Sequence, residues 1–226
     1  MKASYLPKIW WLWLPLAVMA AQIILEATLP GPALSAMLSE NGPHEILQFL
    51  LMAGAFGVAA LAALQVNWKQ QPWLGAWFAL AAVCCLYVAG EEMSWGQWIL
   101  KWNTPEYWAA VNDQNETNLH NTSSWLDQKP RLILEIGIIT GGLLIPFLQK
   151  VRPGWVPAKF GPVYPPAELG VIVLLAELPK LAHEAAEAAG TNLFARVSEV
   201  NELYMFYFVL LYLVILRKRE IHKKHL

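Results

Sequence analysis

The 226 residues are 57% hydrophobic and only 15% charged, with a formal net charge of −1. A soluble domain of this length carries about a quarter charged residues, so an ordinary soluble fold is excluded as the bulk of the chain. Near-zero charge, with no basic patch outside the chain ends and loops, excludes a nucleic-acid partner.

Apolar residues come in blocks, and a block of about 18 is long enough to cross ~30 Å of hydrocarbon as a helix. Six such blocks predict an all-α membrane protein: one transmembrane domain over residues 1–226, with spans at roughly 8–29, 44–66, 73–100, 131–149, 166–189 and 197–216.

The first span follows Lys2 and Lys8. Ala33-Leu34-Ser35-Ala36 resembles a cleavage site. However, the run from Ile9 to Leu29 is a full span long and carries Glu26, which predicts an uncleaved helix. Pro30-Gly31-Pro32 and Gly42-Pro43 bracket the first loop. His44-Glu45 then opens span two in a capping role, and Gln70-Gln71-Pro72 ends the next connection.

Span three holds Cys84 and Cys85, adjacent in an apolar run and read as small packing residues, since neighbours on one helix point apart. Its end carries Gly90-Glu91-Glu92-Met93-Ser94-Trp95-Gly96-Gln97. Two carboxylates at membrane depth are costly unless paired, protonated or bound to a cation. Pointing about 100° apart, they reach two different neighbours, and both Glu91 and Glu92 are expected site residues.

Residues 101–130 form the longest loop. Thr104-Pro105-Glu106 reads as a helix start, with Thr as N-cap and Pro first in the helix. Trp102, Tyr107, Trp108 and Trp125 suit the headgroup interface, so one or two short interfacial helices are expected. In Asn115-Glu116-Thr117-Asn118-Leu119-His120-Asn121 a helical register would put Glu116 and His120 on one face. That spacing suits a metal or an acid–base pair, against the plainer alternative of a solvated loop.

Lys129-Pro130 closes the loop, and Glu135 is expected to pair with Arg131 one turn away in span four. Prolines 153, 157, 162, 165 and 166 fill the next connection. Span five carries Glu177, Lys180, His183, Glu184 and Glu187 along one stripe, with Glu177 near mid-membrane and expected to pair with Lys180. Glu199 and Glu202 share one face where span six begins.

Eleven of the sixteen Lys and Arg residues, including the tail from Arg217 on, fall on the side of the N-terminus. The positive-inside rule makes that side cytoplasmic, with both termini inside. Fifteen of the seventeen acids fall in the other half. Insertion does not require this, because acids contribute little to orientation. A polar Glu/His cavity open to the non-cytoplasmic face is therefore expected.

Its acid–base residues would be Glu91, Glu92, His120, Glu177 and His183. Glu116, His120, His183, Glu184 and Glu202 are candidate ligands for a divalent metal such as Zn²⁺. The function this favours is a metal- or acid/base-dependent enzyme, a hydrolase in its simplest form, acting on a lipid or lipid-linked substrate. A proton- or cation-coupled transporter, or a non-catalytic subunit or assembly factor of a membrane complex with a membrane-protein partner, are the alternatives. Short loops place the chain in the bacterial inner (cytoplasmic) membrane.

Overall fold

The computed structural model describes residues 5–39, 42–112 and 114–224; Lys2 and His225 lie outside them. Among the described residues every regular element is a helix. The helices are α1 (Leu14–Thr28, entered through a π-turn at Ile9–Trp13), α2 (Gly31–Met37), α3 (Pro43–Gln65), α4 (Pro72–Glu92), α5 (Gln97–Leu100), α6 (Glu106–Val111), α7 (Ser124–Ile139), α8 (Ile145–Val151), α9 (Gly170–Ala188) and α10 (Val197–Lys224). A π-turn at Thr140–Leu144 joins α7 to α8.

Five helical segments are long and apolar enough to cross a membrane: Ile9–Thr28, Pro43–Gln65, Pro72–Glu92, Gln128–Val151 and Val197–Ile221. The fifth expected span is α9, whose Glu177, Lys180, Glu184 and Glu187 keep it outside that set. It still spans about 28 Å at ~1.5 Å per residue. Leu174, Leu178 and Leu181, spaced i, i+4, i+7, are exposed as a lipid-facing stripe, while Ile172, Val173 and Ala176 are buried. Lys180 reaches across to Glu135 on α7, Nζ to Oε1 2.5 Å.

Cross-helix contacts fix the directions. Tyr204 and Tyr207 of α10 donate to the carbonyls of Pro15 (2.8 Å) and Trp10 (2.5 Å), so α1 runs antiparallel to α10. The Trp10 bond has a local cause. In a π-turn its carbonyl would take the N–H of residue 15, which is proline and has none, and the tyrosine hydroxyl fills the gap. Gln48 bonds Glu199, and Arg217 bonds Gln65 at the far end, so α3 lies parallel to α10. Gln71 meets Glu220, which makes α4 antiparallel. Lys218 donates to the Tyr5 carbonyl at 3.4 Å, so the two ends of the described chain share one end of the bundle.

α10 is the central helix, mostly buried, and the others lie around it with apolar sides outward. Ala55, Ala59 and Ala62 on α3, with Ala82 and Ala89 on α4, let these helices pack closely, as small residues do where no hydrophobic force drives association in lipid. Gly142 in the second π-turn has the same use: a Cβ there would lie 2.6 Å from Val173 and 3.0 Å from Phe208.

Three expected boundaries move, one of them at span six, whose helix runs on past residue 216 to Lys224. Span three stops at Glu92 and not at residue 100, because Ser94, Trp95 and Gly96 all take positive φ (44°, 55° and 98°). Span four starts early, at Ser124, capped by Ser123 Oγ accepting from Leu126 N–H, and runs through Pro130 without breaking.

If α9 crosses with the others, fluorescent or protease-site tags at the N- and C-termini will report the same side of the membrane. Tags on opposite sides would reduce the bundle to five crossings.

Candidate functional site

Glu91 and Glu92 have opposite fates. The ring of Trp95 folds back flat over Gly90, where a Cβ would lie 2.8 Å from it, so this position takes only glycine. Its Nε1–H then donates to Glu91 Oε1 at 2.7 Å. The other oxygen accepts from the backbone N–H of Leu119 (2.7 Å) and of His120 (2.9 Å) and faces His120 Nδ1 at 3.4 Å. Glu91 is buried, and its carboxylate is used up in pinning the long loop to the end of α4.

A second buried knot reinforces the first. Ser94 Oγ donates to Glu116 Oε2 at 2.7 Å, and Asn118 Nδ2 donates to the same oxygen at 2.6 Å. Asn112 Nδ2 donates to Asn118 Oδ1 (2.7 Å), and Asn112 Oδ1 accepts from Glu116 N–H (3.1 Å). Gln97 Oε1 accepts from Thr117 N–H at 2.8 Å. The stretch is not helical, and Asn115 has φ 60°, so Glu116 turns to Ser94 and away from His120. The Glu116–His120 pair expected from their spacing is not formed. The Thr104 hydroxyl donates to the Asn115 carbonyl at 2.5 Å and caps nothing, so α6 starts at Glu106 behind Pro105. The short helices expected in this loop are α6 and a 3₁₀ turn at His120–Thr122.

Glu92 points the other way, into a cleft of about 1400 Å³. One wall is α4, from Trp77 to Glu92; the other is α7 from Pro130 to Ile138, continued by Thr140 and Gly141 of the π-turn; α10 forms the back, from Glu202 to Leu213. Most of the lining is apolar, including Leu80, Val88, Leu134, Ile138 and Phe208. Polar groups gather at one end: Glu45, Glu92, Glu199, Glu202, Arg131, Arg196 and His120. Arg131 is paired with Glu202. Arg196 donates to the Leu38 carbonyl at 2.5 Å and lies 4.0 Å from Glu199. Glu92 is half-buried, within electrostatic reach of Glu202, Glu45, Glu199 and Arg131, and among the described residues it makes no hydrogen bond or ion pair.

Of the expected acid–base residues, Glu91, Glu92 and His120 line the cleft, Glu91 facing His120 Nδ1, while Glu177 and His183 lie elsewhere. Glu177 sits beside Glu135 and Asn201, with one oxygen buried and without a hydrogen bond, and Lys180 pairs with Glu135 across helices instead of with Glu177. His183 Nδ1 accepts from Phe194 N–H at 3.2 Å and its Nε2 lies 3.4 Å from Glu187, which ties the turn before α10 to α9. The expected metal set does not assemble. Glu116 is in the loop knot, Glu184 is exposed, His183 is on the turn, and Glu202 is paired with Arg131. Among the described residues no three His, Cys, Asp or Glu groups form a set that could hold a metal ion.

Arg131, Arg196, Glu45 and Glu199 reach the cleft although their spacing suggested local ion pairs, caps and orientation signals. Only the shared face of Glu199 and Glu202 pointed to it. Comparison with protein-family models, curated proteins and solved structures finds no match to this chain.

The two glutamates should respond to neutralisation with opposite sign. Glu91→Ala removes the shared acceptor of three part-buried donors, at up to roughly 1–3 kcal/mol each. It should lower the melting temperature in detergent and expose residues 101–123 to protease. Glu92→Gln removes like-charge repulsion worth up to about 4 kcal/mol per pair at 4 Å and an effective dielectric of 20. It should leave the melting temperature unchanged or raise it. A clear loss in Glu92→Gln would mean that its carboxylate has a partner in the fold.

Proposed function

We propose that this chain takes a lipid or lipid-linked molecule sideways from the bilayer into the cleft between α4 and α7, and acts on its headgroup by acid–base chemistry. The single observation behind this is the shape of charge in the cleft: apolar for most of its length, ionisable at one end. Trp77 and Glu92 are both lining residues on α4 and lie about 22 Å apart at ~1.5 Å per residue. That exceeds one leaflet, about half of a ~30 Å core, and matches an amphiphile lying along the helices.

His120 is the base in this proposal. Glu91 faces its Nδ1, an arrangement that holds the proton there and leaves Nε2 as acceptor. Glu91 is then a positioning residue, and His120 and Glu92 meet the headgroup. The distribution of Lys and Arg supports an orientation with the polar end on the non-cytoplasmic side, and the short loops suit a bacterial inner membrane.

A second possibility, an ion-coupled carrier, is favoured by one observation. Glu135, Lys180 and Glu177 form an ionisable cluster shared by α7 and α9, outside the cleft. Intramembrane ionisable groups commonly mark ion pathways. Proton flux into liposomes that is lost in Glu177→Gln but kept in His120→Ala would select it.

A phosphatidylcholine with a diazirine in its acyl chain should crosslink, in liposomes, to peptides of α4 and α7. Cys84→Trp, which fills the cleft from α4, should cut the yield several-fold. Crosslinks spread evenly over the outer faces and indifferent to Cys84→Trp would remove the lipid site. With a membrane lipid extract, His120→Ala should retain lipid but form none of the wild-type product.

A further inference from the structure

We infer that the proline-rich connection between α8 and α9 is a docking surface for anionic phospholipid headgroups, at the end of the bundle that holds both ends of the described chain. The loop carries Arg152 and Lys159, and Lys150 lies in the last turn of the helix before it. All three are exposed and form no ion pair among the described residues. The acids at this end, Glu168 and Glu220, are engaged elsewhere, Glu220 by Gln71. Each loop cation lies over an aromatic ring, Arg152 at 5.0 Å from the Trp155 centroid and Lys159 at 4.7 Å from that of Phe160. A ring face attracts a cation but carries no net charge, so the positive charge remains for an anion from outside the fold.

The apolar groups supply the second, independent observation. Trp155 is 68% exposed, and Phe147 and Val151 of α8 are 60% and 50% exposed. In a membrane-spanning chain an exposed indole next to cations belongs at headgroup level, with the ring towards the acyl chains and the charge among the phosphates. The loop is also held in shape without any lipid. Five prolines, from Pro153 to Pro166, restrict its backbone. Tyr164 Oη donates to the Pro157 carbonyl at 2.8 Å. Tyr212 and Arg219 of α10 donate to the carbonyls of Val163 (2.8 Å) and Tyr164 (2.6 Å). The cations therefore stand on a scaffold fastened to α10, and not on a free tail. Attraction of basic residues to anionic lipid dies away within a Debye length, so the occupant is a phosphate-bearing headgroup of the adjoining leaflet. The surface does not depend on the cleft, although Phe160 also lines the cleft.

The test places the full chain in phosphatidylcholine liposomes with a trace of phosphatidylglycerol carrying a photoreactive group on its headgroup. After illumination, labelled peptides are mapped by mass spectrometry. Peptides covering residues 150–164 should be labelled, and excess plain phosphatidylglycerol should compete. Arg152→Gln and Lys159→Gln should each lower the yield roughly fivefold, the scale of one basic residue at an anionic membrane surface. A phosphatidylcholine probe with the same photoreactive group should label these peptides less by at least that factor. Both substitutions fall on exposed side chains, and the melting temperature in detergent checks the fold; should a variant not fold, the wild-type comparison of the two probes decides. Cys84→Trp, which fills the cleft, should leave the labelling in place. Equal labelling by both probes, or labelling that persists when both cations are neutralised, would overturn the proposal. Labelling lost in Cys84→Trp would assign the lipid to the cleft and overturn a separate surface on the loop.

Discussion

A carboxylate below the headgroups must find donors, a cation or a proton, and this bundle is arranged around how each of its acids meets that demand. Glu26 accepts from Gln22 and from the Ala195 N–H, which fastens α1 to the turn before α10. Glu91 accepts from an indole and two backbone amides and so fastens the long loop that follows α4. Glu116 accepts from Ser94 and Asn118 inside that loop. Each satisfied acid marks a joint between segments distant in sequence. Glu92, one residue from Glu91, is left facing the cleft, and its isolation sets it apart from the structural acids.

The ion pairs follow the same logic. Within one helix, Arg131 could have met Glu135, and Lys180 could have met Glu177. Each basic group instead crosses to another helix, Arg131 to Glu202 on α10 and Lys180 to Glu135 on α7. A local pair only neutralises charge, whereas a crossed pair also holds two helices together. In lipid, where apolar association gains little, such pairs and close contacts at small residues supply much of the holding force. Breaking one by removing a single partner leaves a half-buried charge without its counter-charge.

Much of the fold was legible in the sequence because lipid makes few demands and makes them strictly. Backbone groups must be satisfied within a segment, so each long apolar block becomes a helix. All six expected spans appear as helices, although α9 carries too much charge to qualify on apolar length alone. The position of Glu92 and His120 near the acidic end was readable from the bias of carboxylates to one half of the chain. The roles were not. That Glu91 is an anchor depends on Trp95 reversing over Gly90 and on Leu119 and His120 arriving from residues far along the chain. Spacing rules see neighbours at three and four residues, and the cross-helix pairs of Arg131 and Lys180 lie beyond them. The Glu116–His120 spacing misled for the same reason, since Asn115 at positive φ destroys the register that would align them.

The cleft itself follows from where α7 is held. It is tied towards α9 and α10 by Lys180–Glu135 and Arg131–Glu202, and the π-turn that follows it meets Val173 and Phe208 at Gly142. All of these attachments lie on the α9–α10 side. On the opposite side stands α4, which packs closely with α3 instead. The gap between α4 and α7 is thus left by pairing preferences, with α10 as its floor. The loop pinned by Glu91 carries His120 to the polar end of that gap, and α7 begins directly after it. The residue at the polar end and the helix that walls the cleft are therefore consecutive in the chain from His120 to Arg131.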